Sequence, residues 1–179
     1  MISIKPISTT DVQHYSFMEE LLTAAFPPEE YRELHVLREY TDQTSNFHNN
    51  IIFDDETPIG FITYWDFGHF YYFEHFAINP TLRNGGYGKK VLDFLCNELR
   101  LPIVLEVEAP VEEMAQRRIN FYKRQGFVLW EKEYQQPPYK AGDSFLPMHL
   151  MVQGNLECER DFSEVRKRIY QEVYNTDID

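Results

Sequence analysis

The sequence predicts a mixed α/β (α+β) fold: one sandwich domain whose central sheet is mixed but mostly antiparallel, with helices on both faces. Three observations point there. Residues 47–79 are β-rich, and "NNIIFDD", "TPIGFITYWDF" and "HFYYFEHFAIN" are separated by short turn signals, the pattern of an antiparallel meander. Segments with helical spacing of apolar residues lie on either side of that stretch. At 179 residues the chain is long enough for one substantial core and short for two ordinary domains.

Taken in order, "ISIKPI" alternates as a short strand, and Thr10 and Asp11 are cap candidates for a helix over "VQHYSFMEELLTAAF". Pro27 and Pro28 interrupt, and a polar helix is expected from Glu29 to about Tyr40, followed by a loop through Ser45 and Asn46. The meander comes next. After it, a glycine loop runs into a helix with Tyr87, Val91, Leu92, Leu95 and Leu99 on one face and Lys89, Lys90, Asp93 and Glu98 on the other. "LPIVLEVEA" reads as a strand with Ile103, Leu105 and Val107 on one side. A helix from about Val111 to Arg124 is stopped by Gly126. "FVLWEKEY" and "FLPMHLMVQ" read as a closing strand pair, joined by a long loop with Pro137, Pro138 and Gly142. Phe162, Val165, Ile169 and Val173 mark a last helix, so residues 1–155 are assigned to the domain and 156–179 to a C-terminal helix packed on it or at a homodimer interface.

Composition narrows the function. With 43% hydrophobic and 26% charged residues the chain is globular, and no apolar run approaches the roughly 20 residues a membrane helix needs. The start, "MISIKPISTTDVQHY", lacks the basic and long apolar segments of a secretory signal, so a cytoplasmic protein is expected. Seventeen Lys and Arg against 29 Asp and Glu leave a formal net charge of -12, which disfavours nucleic acid and anionic membrane surfaces and suits a cationic partner. Cys96 and Cys158 form neither a disulfide framework nor a metal cluster, and no metal is expected.

The stretch "NPTLRNGGYGKKVLDFL" is the most unusual in the chain. A P-loop would need a glycine at position 83 and Ser or Thr after Gly88-Lys89, and a dinucleotide fingerprint would need a third glycine where Val91 stands. Neither fits. Unpaired amides at a helix start favour a negative group, glycine lets a bulky phosphate reach the backbone, and Arg83 adds a positive charge beside it. On this segment alone, a tight strand-to-helix turn without a ligand is an equal reading.

Arg83-x-x-Gly86-x-Gly88, after a β-rich segment and before an amphipathic helix, resembles the signature of the GNAT superfamily of acyl-CoA-dependent N-acetyltransferases. "NFYKRQGF", Asn120 to Phe127, is similar to that superfamily's Asn-x-Tyr-x-x-x-Gly-Phe segment, and the two motifs span roughly residues 50 to 130 in the expected order. The resemblance implies acetyl-CoA as cosubstrate. Arg83, Asn84, Gly85, Gly86, Tyr87 and Gly88 would cradle its pyrophosphate, chiefly through backbone amides. Phe76 and Ile78 would pair with the pantetheine arm, the sheet splaying between the strands near 70–78 and 102–108 to admit it, and Asn120 would hydrogen-bond the arm. Tyr122 matches the tyrosine that protonates the departing thiolate; its alternative is an ordinary core aromatic.

Transfer to an amine needs a base, because the amine is protonated near neutral pH, and donors for the oxyanion, most simply backbone amides at Phe76 and Ala77. Tyr72, Glu74, Phe76 and Ile78 share one strand face, and Glu74, an acid within an aromatic strand, leads as general base; a salt-bridged carboxylate is its alternative. His75, on the other face, reads as packed. Glu106 and Glu108 alternate with the apolar side of the next strand and could bind a cationic acceptor or form a solvated face, and Glu106 also competes for the role of base. Arg117, Arg118, Lys123 and Arg124 could reach CoA phosphates or simply suit the helix end. Tyr72 and Tyr139, the latter with its neighbouring prolines, are expected to line the acceptor site, for a primary amine on a small cation or a lysine side chain. A CoA-binding sensor or interaction module without efficient catalysis is the competing function.

Overall fold

A computed structural model describes residues 1–177, with seven β-strands and five α-helices among them. The α/β class is as predicted, and contacts gather into two compact units. Residues 1–66 and 73–100 form the first, and residues 67–72 with the described residues from 101 onward form the second.

The first unit holds β1 (Ile2–Pro6), α1 (Val12–Ala25), α2 (Leu34–Gln43), β2 (Phe47–Asp54), β3 (Thr57–Asp66), most of β4 (Tyr71–Ile78) and α3 (Tyr87–Glu98). Its strands are ordered β1-β2-β3-β4, with β1 and β3 antiparallel to β2 and Ile51 opposite Phe61. Consecutive residues Ile51, Ile52, Phe61 and Ile62 are all fully buried, so both faces of the inner strands are covered. Helix α1 packs on β3, α2 on β2 and α3 on β1. Asp11 caps α1 as expected, its carboxylate accepting the His14 N–H. Val91, Leu92 and Leu95 carry the buried stripe of α3.

The helix expected from Glu29 is corrected. Pro28–Glu30 forms only a short 3-10 turn, Tyr31 is extended, and α2 starts at Leu34. The extended stretch brings Arg32 into the interior, where it is 5% exposed; a continuous helix would instead have carried it along a polar surface.

The second unit holds β5 (Ile103–Glu108), α4 (Glu113–Arg124), β6 (Val128–Gln136), β7 (Leu146–Gln153) and α5 (Cys158–Glu172). Strands run β5-β7-β6, both pairs antiparallel, with an irregularity between Trp130 and Tyr134. Helix α4 ends ahead of Gly126, which takes φ +91. Helix α5 buries Phe162, Val165 and Ile169 and packs on β6, where the Phe162 ring meets Trp130 at 6.3 Å and Tyr134 at 6.5 Å. No helix among the described residues is long and apolar enough to cross a membrane.

Strands β3 and β4 approach closely at Gly60, where an added Cβ would lie 2.3 Å from the Ala77 carbonyl oxygen. That contact is too short for any side chain. Gly60→Ala is expected to lower stability by about 1–3 kcal/mol, read as a lower denaturant midpoint at unchanged slope.

Candidate active site

The glycine segment shows which of its residues need unusual backbone. Asn84 takes φ +69 and Gly86 φ +72, both left-handed, so the chain reverses just before α3. A Cβ on Gly86 would meet nothing within 4 Å, whereas one on Gly85 would sit 3.2 Å from the Tyr87 ring. The loop is therefore open to solvent at its tip and tight against Tyr87 behind. Gly86 is the N-cap of α3 and provides no side-chain cap, which leaves the first-turn amides of Tyr87, Gly88 and Lys89 without intrahelical acceptors. The first turn contains no acid. Instead it carries Lys89, paired with Asp93 at 2.6 Å, and Lys90, whose ammonium lies 5.1 Å from the Tyr87 ring centroid. The Tyr87 hydroxyl donates to Asp54 at 3.1 Å, anchoring the helix start to β2. With Arg83 exposed beside it, this helix start presents amides and cations outward, the chemistry a phosphate or pyrophosphate needs.

On β4, Glu74 is not a solvated acid. Its side chain has 0% exposure and receives both guanidinium nitrogens of Arg32, at 3.2 and 2.6 Å, together with the Trp65 indole N–H at 2.8 Å. Arg32 in turn lies 4.8 Å from the Tyr40 ring centroid and 5.7 Å from that of Phe47. Burial would raise the Glu74 carboxyl, but Arg32, His75 and the hydrogen bonds outweigh it, and the pKa is lowered. His75 is buried as expected, its Nε2 2.8 Å from the Glu30 carbonyl, and burial lowers its pKa. Residue Glu74 nevertheless keeps partial exposure, so its accessible surface is backbone; Phe76, Ala77 and Ile78 are partly exposed too.

The second unit holds the contrasting carboxylate. Glu106 Oε1 accepts from the hydroxyls of Tyr72 and Tyr174, the latter at 2.5 Å, and from Gln136 Nε2 at 3.0 Å. Oε2 accepts from the Tyr134 hydroxyl at 2.5 Å. All four donors are neutral. Burial raises the Glu106 pKa, and the hydrogen bonds of Tyr134, Tyr174, Tyr72 and Gln136 only partly offset it. Tyr139 joins the group by packing on Tyr174 with ring centroids 4.9 Å apart.

Of the acceptor residues expected from the sequence, Tyr72, Glu106 and Tyr139 thus come together. Glu108 does not, being exposed and 3.9 Å from Arg118. Tyr122 is half-buried on α4 between Phe121 and Phe127, its pKa raised by burial against Arg118, and its hydroxyl has no hydrogen-bond partner among the described residues. Asn120 is exposed and accepts from Gln116 at 3.0 Å. Sequence reasoning missed Arg32, Trp65, Tyr134, Gln136 and Tyr174. The signal for Arg32 was a lone cation beside the buried Tyr31, and for Tyr174 an aromatic continuing the stripe of α5.

The glycine-opened helix start, uncapped and following a strand of partly exposed backbone, offers the free amides that an anionic group would need. The model of the Acetyltransferase (GNAT) family matches residues 15–127, and the chain belongs to that family. A protein from Bacteroides thetaiotaomicron assigned to the GNAT family is 68% identical, with a TM-score of 0.96 over 97% of this chain and 99% of that one. The ribosomal-protein-S18-alanine N-acetyltransferase of Escherichia coli is 20% identical, with a TM-score of 0.59 over 88% of this chain and 99% of that one. Arabidopsis thaliana Naa50, solved with the bisubstrate analogue CoA-Ac-MVNAL, is 15% identical, with a TM-score of 0.56 over 86% and 98% of the two chains. No protein of curated function matches the chain. Acetyl transfer is the general reaction of the family.

Breaking a buried ion pair from one side strands a charge, so Glu74→Gln is expected to cost about 3–5 kcal/mol, while the paired change Arg32→Met with Glu74→Leu recovers most of it. Denaturant unfolding reads both. Because the folded-state Glu74 pKa is lowered, its stabilisation is present above the ordinary carboxylate range and is lost as pH falls through the folded-state value.

Proposed function

We propose that the protein transfers an acetyl group from acetyl-CoA directly to a primary amine, on a small cation or a lysine side chain, in a ternary complex. The observation that carries this reading is the Glu106 cluster, a carboxylate held by four neutral donors and raised in pKa by burial. A base for amine deprotonation works best when its pKa lies near the operating pH, and Glu106 moves that way while Glu74 moves the other. The base role is therefore assigned to Glu106, and Glu74 becomes the partner that orders Arg32.

Each remaining step has a residue suited to it. The amides of Asn84 to Gly88, with Arg83, take the pyrophosphate, a reading supported by the uncapped helix start and the absence of acids in its first turn. Accessible backbone at Phe76, Ala77 and Ile78 suits pairing with the pantetheine and stabilisation of the oxyanion, and Asn120 is a further donor to that arm. The acceptor attacks as the neutral amine, its ammonium proton having gone to solvent, and Glu106 accepts the second proton that the nitrogen sheds as it bonds to the thioester carbon. The carbon–sulfur bond then breaks, and the unpartnered Tyr122 hydroxyl supplies a proton to the thiolate, so one proton is taken up and one given. Tyr72 and Tyr139 flank the acceptor, whose positive charge suits the net charge of -12. Glu108 acts at most as an outer attraction for it. The bisubstrate complex of the Arabidopsis protein supports acetyl-CoA as donor.

Because Glu106 must be ionised to accept a proton, kcat/KM should rise with pH through a limb above the ordinary carboxylate range. Glu106→Gln is expected to remove that limb and lower kcat/KM about 10²–10⁴-fold across an amine panel, and wild-type turnover in this variant would overturn the assignment. Tyr122→Phe should lower kcat with little change in the acetyl-CoA KM. Gly86→Asp, which puts a negative charge at the helix start, should raise that KM by roughly tenfold or more.

A further inference from the structure

The four donors to Glu106 are unevenly shared. Tyr72, Tyr174 and Gln136 all reach Oε1, whereas Tyr134 alone reaches Oε2. A carboxylate oxygen offers about two acceptor directions, so Oε1 is saturated and Oε2 retains one. We propose that Tyr174, delivered by the chain just beyond α5, is a positioning residue for acetyl transfer: it helps saturate Oε1, leaves Oε2 as the proton-accepting atom, and makes the C-terminal segment part of the active site. This rests on the reading of Glu106 as base.

The segment is built to hold that position. Val173 continues the helix by donating its N–H to the Ile169 carbonyl at 2.9 Å, and Asn175 then turns the chain with φ +51. The Thr176 N–H returns to the Tyr170 carbonyl at 2.8 Å, and the Thr176 hydroxyl bonds the Tyr174 carbonyl at 3.3 Å. Tyr174 is only 7% exposed, with the Tyr139 ring tilted against its own and the Tyr72 hydroxyl 3.3 Å from its hydroxyl. The titratable groups around Glu106 are thus Tyr72 from β4, Tyr134 from β6, Tyr139 from the β6–β7 connection and Tyr174 itself, with Tyr170 behind them, its hydroxyl turned to the Gln135 carbonyl at 2.5 Å. Tyr134, Gln136, Tyr139 and Tyr174 all lie beyond residue 127, where the match to the family model ends. Three of the four donors to Glu106 thus come from the segment beyond the matched region, and Tyr72 comes from within it.

A hydroxyl donating to a carboxylate favours its ionised form, so removing one shifts ionisation upward in pH. In the full-length protein, Tyr174→Phe should move the ascending limb of kcat/KM up by about one pH unit with the acetyl-CoA KM unchanged. Placing 3-fluorotyrosine at 174, a more acidic hydroxyl of nearly the same shape, should move the limb down instead, and it decides the matter if the phenylalanine variant does not fold. Tyr170→Phe, which loosens the same segment without touching Glu106, should lower the melting temperature and leave the limb in place. A limb that stays put in both Tyr174 variants overturns the inference. Glu106→Gln, run alongside, separates the two levels: loss of the limb there upholds Glu106 as base even if Tyr174 proves purely structural, and a retained limb overturns that reading on its own.

Discussion

A carboxylate taken out of water must find donors or change its protonation, and that constraint organises both units of this protein. Glu74 and Glu106 stand on successive strands of the chain, and each draws side chains from distant parts of the sequence. Around Glu74 the donors are a guanidinium and an indole; around Glu106 they are three phenols and an amide. The interior packing of each unit is arranged so that these donors arrive in the right orientation.

Charge separates the two outcomes. Arg32 brings a full positive charge within 2.6 Å of Glu74, and the pair is locked as an ionised, structural element further enclosed by Tyr40 and Phe47. Phenols and amides bring only dipoles, so the burial penalty on Glu106 is left partly standing and its pKa rises. Two chemically identical side chains are therefore held differently, one ion-paired to an irregular segment between α1 and α2, the other hydrogen-bonded with its pKa raised. The same logic of uncompensated polarity recurs at the start of α3, where Gly86 offers the helix no cap and Lys89 and Lys90 occupy a turn that ordinarily favours acids. Such a helix start leaves its free amides for an acceptor other than its own side chains.

Much of this was legible because it is local. Asn79-Pro80, the clustered glycines and the apolar stripe through Val91, Leu92 and Leu95 announce a strand, a turn and a helix through backbone preference and periodicity, which act over a few residues. Tyr72, Glu106, Glu108 and Tyr139 were expected close to one another; Tyr72, Glu106 and Tyr139 come together around Tyr174, and Glu108 does not. The misread helix at Glu29 shows the limit of that kind of signal. Its residues suit a polar helix, yet the stretch is extended so that Arg32 reaches a partner 42 positions away.

By itself the sequence determined the fold class, the position of the glycine-opened helix start and, through two short motifs, the family. Only the tertiary structure decided which acid is a salt-bridged strut and which a raised carboxyl, because in sequence each is simply a glutamate within a largely apolar strand. The difference lies in what meets each one: Arg32 for Glu74, and for Glu106 a tyrosine 68 residues away at the end of the last helix. Those pairings follow from long-range strand and helix packing, and no local pattern around either glutamate encodes them.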